Sequence, residues 1–301
     1  MSLEFKKFVL GVNMAVVVLE TALFALLLVA ASTTLYLRFS RHKLPQLVIW
    51  NPVVLFTILI SATSGAHWSL TIVRFFDAFL WSANAERFYL DNSLETQTAR
   101  SLLSVMSVII GDAAIIHRLW LIWNRSFPVI ILPVMTCIGI LIMGCISTYL
   151  SAQPVAREQL LSVPVERWVE ASWIITLATN MYCTGLIVWK IWKMKRTVEH
   201  LLGDGTLVSV LIVLLESAAI WTIWGLFFAI TNEIGSPVQA IGGDLSSVMV
   251  GLVNIVIYLR VELQCARPQG SDRTGVVMTS SPSIVPYFVN RASAQIPRGT
   301  V

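Results

Sequence analysis

Five polar side chains interrupt long apolar runs: Glu20, Asp112, Asn180, Glu216 and Asp244. A carboxyl or amide group in such a setting is costly unless it finds a partner. It marks either glue between helices or a wet site that handles a ligand, a proton or a cation. Counting from the ends of the runs puts Glu20, Asp112, Asn180 and Glu216 near one depth, with Asp244 closer to one end. They belong to different runs, so they can converge on one central polar cavity. For each residue alone, glue and function are both open. For the three carboxyls Glu20, Asp112 and Glu216 at one depth, a shared cavity is the simpler reading.

Basic partners are scarce at that depth. Arg118 follows Asp112 by six residues, about 9 Å along a helix axis. Neighbours on a helix face are three or four apart, so the two make no simple intrahelical pair. With His117 beside it near the end of its run, Arg118 has two states open to it. It can pair with a carboxylate of another helix, or extend toward headgroups and a cytoplasmic signalling partner. A switch needs such a two-state element; a snorkelling anchor is the plain alternative. Arg74 and Asp77, three apart, can pair near an end of their run.

Other chemistry is missing. His42, His67, His117 and His200 are scattered, with neither an HExxH pattern nor a His pair. There is no Gly-x-Ser-x-Gly elbow or phosphate-binding loop, and the last apolar run has no lysine for a retinal Schiff base. Cys137, Cys145 and Cys183 lie in apolar runs as small hydrophobes. Cys265 follows the last run, a position open to reversible acylation. No enzyme activity, metal or cofactor is expected, and no basic stripe suggests nucleic acid.

The elements that must position these residues are transmembrane helices. Of 301 residues, 56% are hydrophobic and only 13% charged, about half the charged share of a soluble domain. Seven apolar runs are long enough to cross about 30 Å of hydrocarbon: roughly 8–37, 52–80, 101–123, 127–150, 168–192, 207–230 and 238–262. The first contains Glu20 and is too long for a signal h-region, so it is read as a span. Only Asn124, Arg125 and Ser126 separate the third and fourth, which predicts a tight hairpin. Pro128 suits a first helical turn, and Pro133 predicts a kink. Trp50, Trp81, Trp123, Trp168, Trp189 and Trp192 fall near run ends, where indole rings anchor spans, and the tryptophans as a set are read as anchors.

Loop charge sets orientation. Arg38, Arg41, Lys43, Arg118, Arg125, Lys190, Lys193, Lys195 and Arg196 fall on one side. Lys6, Lys7, Arg74, Arg87, Arg100, Arg157 and Arg167 fall on the other. The modest excess, with the basic residues from Arg260 onward, predicts the N-terminus outside and the C-terminus in the cytoplasm. The Asn124-Arg-Ser126 sequon would then lie unused on the inner side. Residues 1–263 form the seven-helix domain. Residues 264–301, polar and rich in Pro, Gly and Ser, are expected to be a disordered tail whose serines are open to phosphorylation.

A set of motifs accompanies this pattern. Gly111-Asp112, His117-Arg118-Leu119-Trp120, Ile130-Ile-Leu-Pro133, Leu177-Ala-Thr-Asn180, Thr184-Gly-Leu-Ile187, Glu216-Ser-Ala218 and Val73-Arg-Phe-Phe-Asp-Ala-Phe79 resemble a family of uncharacterised seven-span membrane proteins of mushroom-forming fungi. The resemblance covers roughly 50–262. His117 departs from it, since the family has tyrosine there. The resemblance implies a seven-span fold and no particular activity. Similarity to G-protein-coupled receptors is looser: span count, orientation and an Arg near the inner end of the third helix. No cysteine tops that helix, and Asn254 with Tyr258 is not an Asn-Pro-x-x-Tyr motif.

The expectation is therefore an all-α, multi-pass protein of the plasma membrane or another secretory-pathway membrane. It acts as a receptor-like seven-helix sensor of a small or lipophilic ligand. The alternative is a proton- or cation-coupled transporter or channel using the midplane carboxylates. Glu20, Asp112, Asn180, Glu216 and Asp244 are the cavity candidates, and His117 and Arg118 the switch candidates.

Overall fold

The computed structural model describes residues 3–41, 51–81, 84–90, 94–152, 155–198 and 205–266. Side chains are described over these ranges except 3, 41, 86–87, 90, 155–166, 195–198, 205–211 and 264–266. Residues 264–266, expected to begin the tail, are helical; the rest of the expected tail with its serines, the Cys265 side chain, His42 and His200 lie outside what is described. The chain divides into two units, Met1–Gln264 and Cys265–Val301.

The described residues are helical. In chain order the helices are α1 (Leu3–Arg41), α2 (Pro52–Phe76), α3 (Ala85–Leu90), α4 (Glu95–Ile122), α5 (Phe127–Ser151), α6 (Val155–Val198), α7 (Gly205–Glu233), α8 (Gln239–Asp244) and α9 (Ser246–Ala266). α2 continues as a π-helical turn, Asp77–Trp81. Seven helices are long and apolar enough to cross a membrane: α1, α2, α4, α5, α6, α7 and α9. The protein is a multi-pass membrane protein.

Local chemistry explains the boundaries. Asn51 caps α2, its side-chain oxygen accepting from the Val53 amide at 3.1 Å, and Pro52 follows in the first turn. The hairpin between α4 and α5 closes through Asn124 (φ 51°) and Arg125 (φ 60°). The Arg125 amide donates to the Trp120 carbonyl at 2.8 Å. This left-handed pair spends some strain to reverse the chain within three residues. Pro133 lies inside α5, buried.

Two expectations about ends change. α4 begins at Glu95 rather than near 101. A hydropathy reading stops at the polar stretch Glu95–Arg100, but the helix continues through it, and Arg100 becomes a buried helix residue instead of a loop charge. The seventh span is broken: α8 ends at Asp244, and α9 restarts at Ser246.

α9 is the central helix. Of its apolar window 56% is buried, against 17% for α5 at the periphery. It packs against α1 and α2 through Leu27, Ala30, Ile60, Val248 and Ile255. A second cluster joins α4, α6, α7 and α9 through Leu119, Cys183, Ile187, Val213 and Ile257. Two glycines let α9 come close. A Cβ on Gly111 of α4 would stand 2.2 Å from Val250, and one on Gly251 would stand 2.5 Å from Leu27.

Candidate functional site

α4 presents one face to α9 and to Asp244 at the end of α8. Arg100 and Arg118 are eighteen residues apart, five helical turns and about 27 Å, so they share that face. Between them Ser104 bonds Ser246 at 3.1 Å, the Ser247 hydroxyl donates to Ser107 at 2.8 Å, and Gly111 meets Val250. The two arginines mark the two ends of the bundle.

At the Arg100 end lies a cavity of about 220 Å³. Its wall includes Arg100, Asp244, His67, Ser104, Ser147, Thr148, Ser172 and Thr176, with Trp173, Trp221 and Phe228 on one side. The Arg100 guanidinium donates to the Asp244 carboxylate at 2.6 Å and makes a long contact of 3.5 Å to the Thr71 hydroxyl. Trp173 stacks on Trp221 at 5.9 Å and on Phe228 at 4.4 Å between ring centroids. The Trp221 indole N–H has no partner among the described residues.

A second arginine backs this wall. Arg74 is only 2% exposed. It donates to the Thr96 hydroxyl at 2.9 Å and sits 5.1 Å from the centre of the Phe88 ring on α3. The expected partner Asp77 begins the π-helical turn and acts on Arg74 through its charge. Tyr89, outside the spans, adds a phenol that burial pushes above its ordinary range, with Arg74 and Arg100 opposing that shift.

Deeper in, Glu20 accepts or shares a proton with His67 Nδ1 at 2.7 Å; both side chains are essentially inaccessible. His67 also lines the cavity, so this pair forms part of its floor. One turn below the cavity residues Val108 and Thr176, Asn180 donates to Asp112 at 3.1 Å and to the Thr176 carbonyl at 3.1 Å. The second Asp112 oxygen is buried without a partner.

The structure therefore divides the expected set. Asp244 lies in the cavity wall, Glu20 stands behind His67, and Asp112 with Asn180 form a separate pair beneath it. Glu216 does not join them. It pairs with Arg260 at 2.9 Å, both side chains about half exposed (52% and 48%). Depth had been read from position along the run, but depth says nothing about direction, and α7 turns Glu216 outward.

At the other end Arg118 donates to the Asn254 carbonyl at 3.0 Å, and its guanidinium lies 4.0 Å from the centre of the Tyr258 ring. Its described partners are thus a carbonyl and an aromatic face rather than a carboxylate. His117 packs against Phe56 and Trp120. Arg38 and Glu262 pair at 2.7 Å near the same end.

No family model, curated protein or solved structure matches the chain. The geometry alone must carry the functional reading.

Sequence reasoning missed His67, Arg100, Trp173 and Trp221. His67 was legible in principle, because it stands sixteen residues into α2, at a depth comparable with Glu20. Trp173 and Trp221 were grouped with interfacial anchors, yet they form the aromatic wall. Among the described residues no group of three or more His, Cys, Asp or Glu could hold a metal ion.

Proposed function

We propose that this protein is a receptor-like sensor of a small ligand, bound in the cavity at the Arg100 end and read out at the Arg118 end. One observation carries the reading. The cavity combines an aromatic wall with a few convergent polar groups, as small-molecule sites do. The opposite end of the same helix face is filled by the packed Leu119, Ile187 and Ile257 cluster and by Arg118 on Tyr258.

In this reading the Arg100 end and the N-terminus face outward. The Arg118 end and the tail face the cytoplasm, in the plasma membrane or another secretory-pathway membrane. The fungal seven-span resemblance agrees with such a protein and adds no activity. Ligand contacts reach Arg118 along α4 and α9, whose serine bonds and glycine contact make them move together. The Arg118 contact to Asn254 and Tyr258 is the closed state, and its release would present the guanidinium to a cytoplasmic partner.

Asp112 supports the rival reading, proton- or cation-coupled transport, because its carboxyl is buried with no cation partner among the described residues. Reconstitution into liposomes with a pH-sensitive dye separates the two. A sensor gives no flux above that of empty liposomes. Proton or cation flux abolished by Asp112→Asn would replace the sensor with a transporter.

A further inference from the structure

The hydrogen-bonding capacity around the cavity is not evenly filled. Glu20 is engaged by His67, and Asp244 is engaged by one nitrogen of Arg100. The other terminal nitrogen of Arg100 has only the long Thr71 contact. Behind the wall Arg74, which feels the charges of Arg100, Asp244 and Asp77, has a hydroxyl and a ring as its described hydrogen-bond and ring partners, and its Nε is buried without one. At the wall itself Arg100 therefore keeps one terminal nitrogen weakly engaged. The same cavity is lined by the stacked set Trp173, Trp221 and Phe228. A volume of about 220 Å³ admits roughly a dozen heavy atoms at protein packing density.

We propose that the cavity takes a small planar aromatic carboxylate, its rings against Trp173, Trp221 and Phe228 and its anionic group on Arg100. The proposal rests on reading this cavity as a ligand site. Asp244 acts as the internal competitor, holding Arg100 in place until an incoming carboxylate shares or takes over the guanidinium. Arg is suited to this exchange because its planar fork can serve two carboxylates at once. An aromatic amine would instead have to draw Asp244 from Arg100 and leave that guanidinium with only the long Thr71 contact.

The test uses the full-length protein in lipid nanodiscs and three probes sharing one ring system: naphthoate, naphthamide and naphthylmethylamine. Binding is read by calorimetry and by shift of the thermal midpoint. Naphthoate is expected to bind about tenfold more tightly than naphthamide, the factor that one charge-assisted hydrogen bond supplies. The amine should bind no better than the amide. Asp244→Asn should tighten naphthoate several-fold by removing the competitor, and Arg100→Gln should bring naphthoate down to the level of the amide. Partition of each probe into lipid, which differs between the anion, the neutral amide and the cation, is measured on empty nanodiscs and subtracted. Should Arg100→Gln fail to fold, the parent series and Asp244→Asn decide. A preference for the amine, a naphthoate preference that survives Arg100→Gln, or no binding by any probe overturns the proposal. None of these outcomes produces flux in the liposome assay, so a failure of the ligand class is distinct from a failure of the sensor reading.

Discussion

The two ends of α4 are built from the same residue type and solve opposite problems. Arg100 meets a carboxylate beside a hollow lined with hydroxyls and indoles. Arg118 meets a backbone carbonyl and a phenol ring above a filled apolar cluster. A guanidinium paired with a carboxylate near free volume can be re-paired by an anionic ligand. One held 4.0 Å from a ring centre has a single well-packed arrangement, plus whatever state opens when the helices shift. The first kind of site suits recognition, and the second suits a latch. The ladder between them, Ser104 to Ser246, Ser107 to Ser247 and Gly111 to Val250, is what ties the two together.

Breaking the Arg100 end should have the largest effect. Arg100→Leu leaves Asp244 without its cation at a site where the side chains are 9% and 16% exposed. Loss of one partner of a buried pair costs about 3–5 kcal/mol. The thermal midpoint in nanodiscs should fall clearly, while Arg118→Leu, whose described partners carry no charge, should cost less. Equal losses would erase the proposed contrast between the ends.

The ladder comes next. Gly111→Ala puts a Cβ within 2.2 Å of Val250, so α4 and α9 must separate. Overpacking of this kind costs about 1–3 kcal/mol, and Gly139→Ala, with nothing within 4 Å of its Cβ, should be near neutral. Denaturation of the two variants side by side checks this.

Arg118→Lys sharpens the account of the latch. Lysine keeps the charge but loses the planar stack on Tyr258, a contact of about 0.5–2 kcal/mol. Normal insertion with a small loss of stability and a looser Arg118 end, seen as faster amide exchange around Asn254, is expected. An unchanged exchange pattern would leave Arg118 as an anchor only. The smallest effect is expected at Glu216→Gln, because Arg260 stands three residues from the end of its span and can reach the headgroups once unpaired. A large loss there would mean that Glu216 acts in the bundle after all.

The helical, seven-span character was legible because apolar length is a direct reading of bilayer thickness. The polar groups Glu20, Asp112, Asn180 and Asp244 were legible as unusual for the same reason. Their partners were not. Pairing depends on the rotation of each helix, and runs such as α7 are apolar on most sides, so no stripe shows which way Glu216 turns. Arg100 was hidden by the opposite effect: its polar neighbours looked like a loop, although the helix extends through them. The spacing of Asn254 and Tyr258, four apart on one face, did mark the surface that Arg118 uses, but only as a motif that failed to match a known one.

The central claim, one open end and one closed end, is tested most directly by two-sided labelling. Ser172→Cys places a thiol in the cavity wall, and Asn254→Cys places one beneath Arg118, each read against the labelling of the parent's own cysteines. In sealed vesicles of known orientation, a membrane-impermeant maleimide is applied from each face in turn. The account predicts that position 172 reacts from the face bearing the Arg100 end only, and that position 254 reacts from neither. Labelling of position 172 from both faces, alternating with conditions, would contradict it.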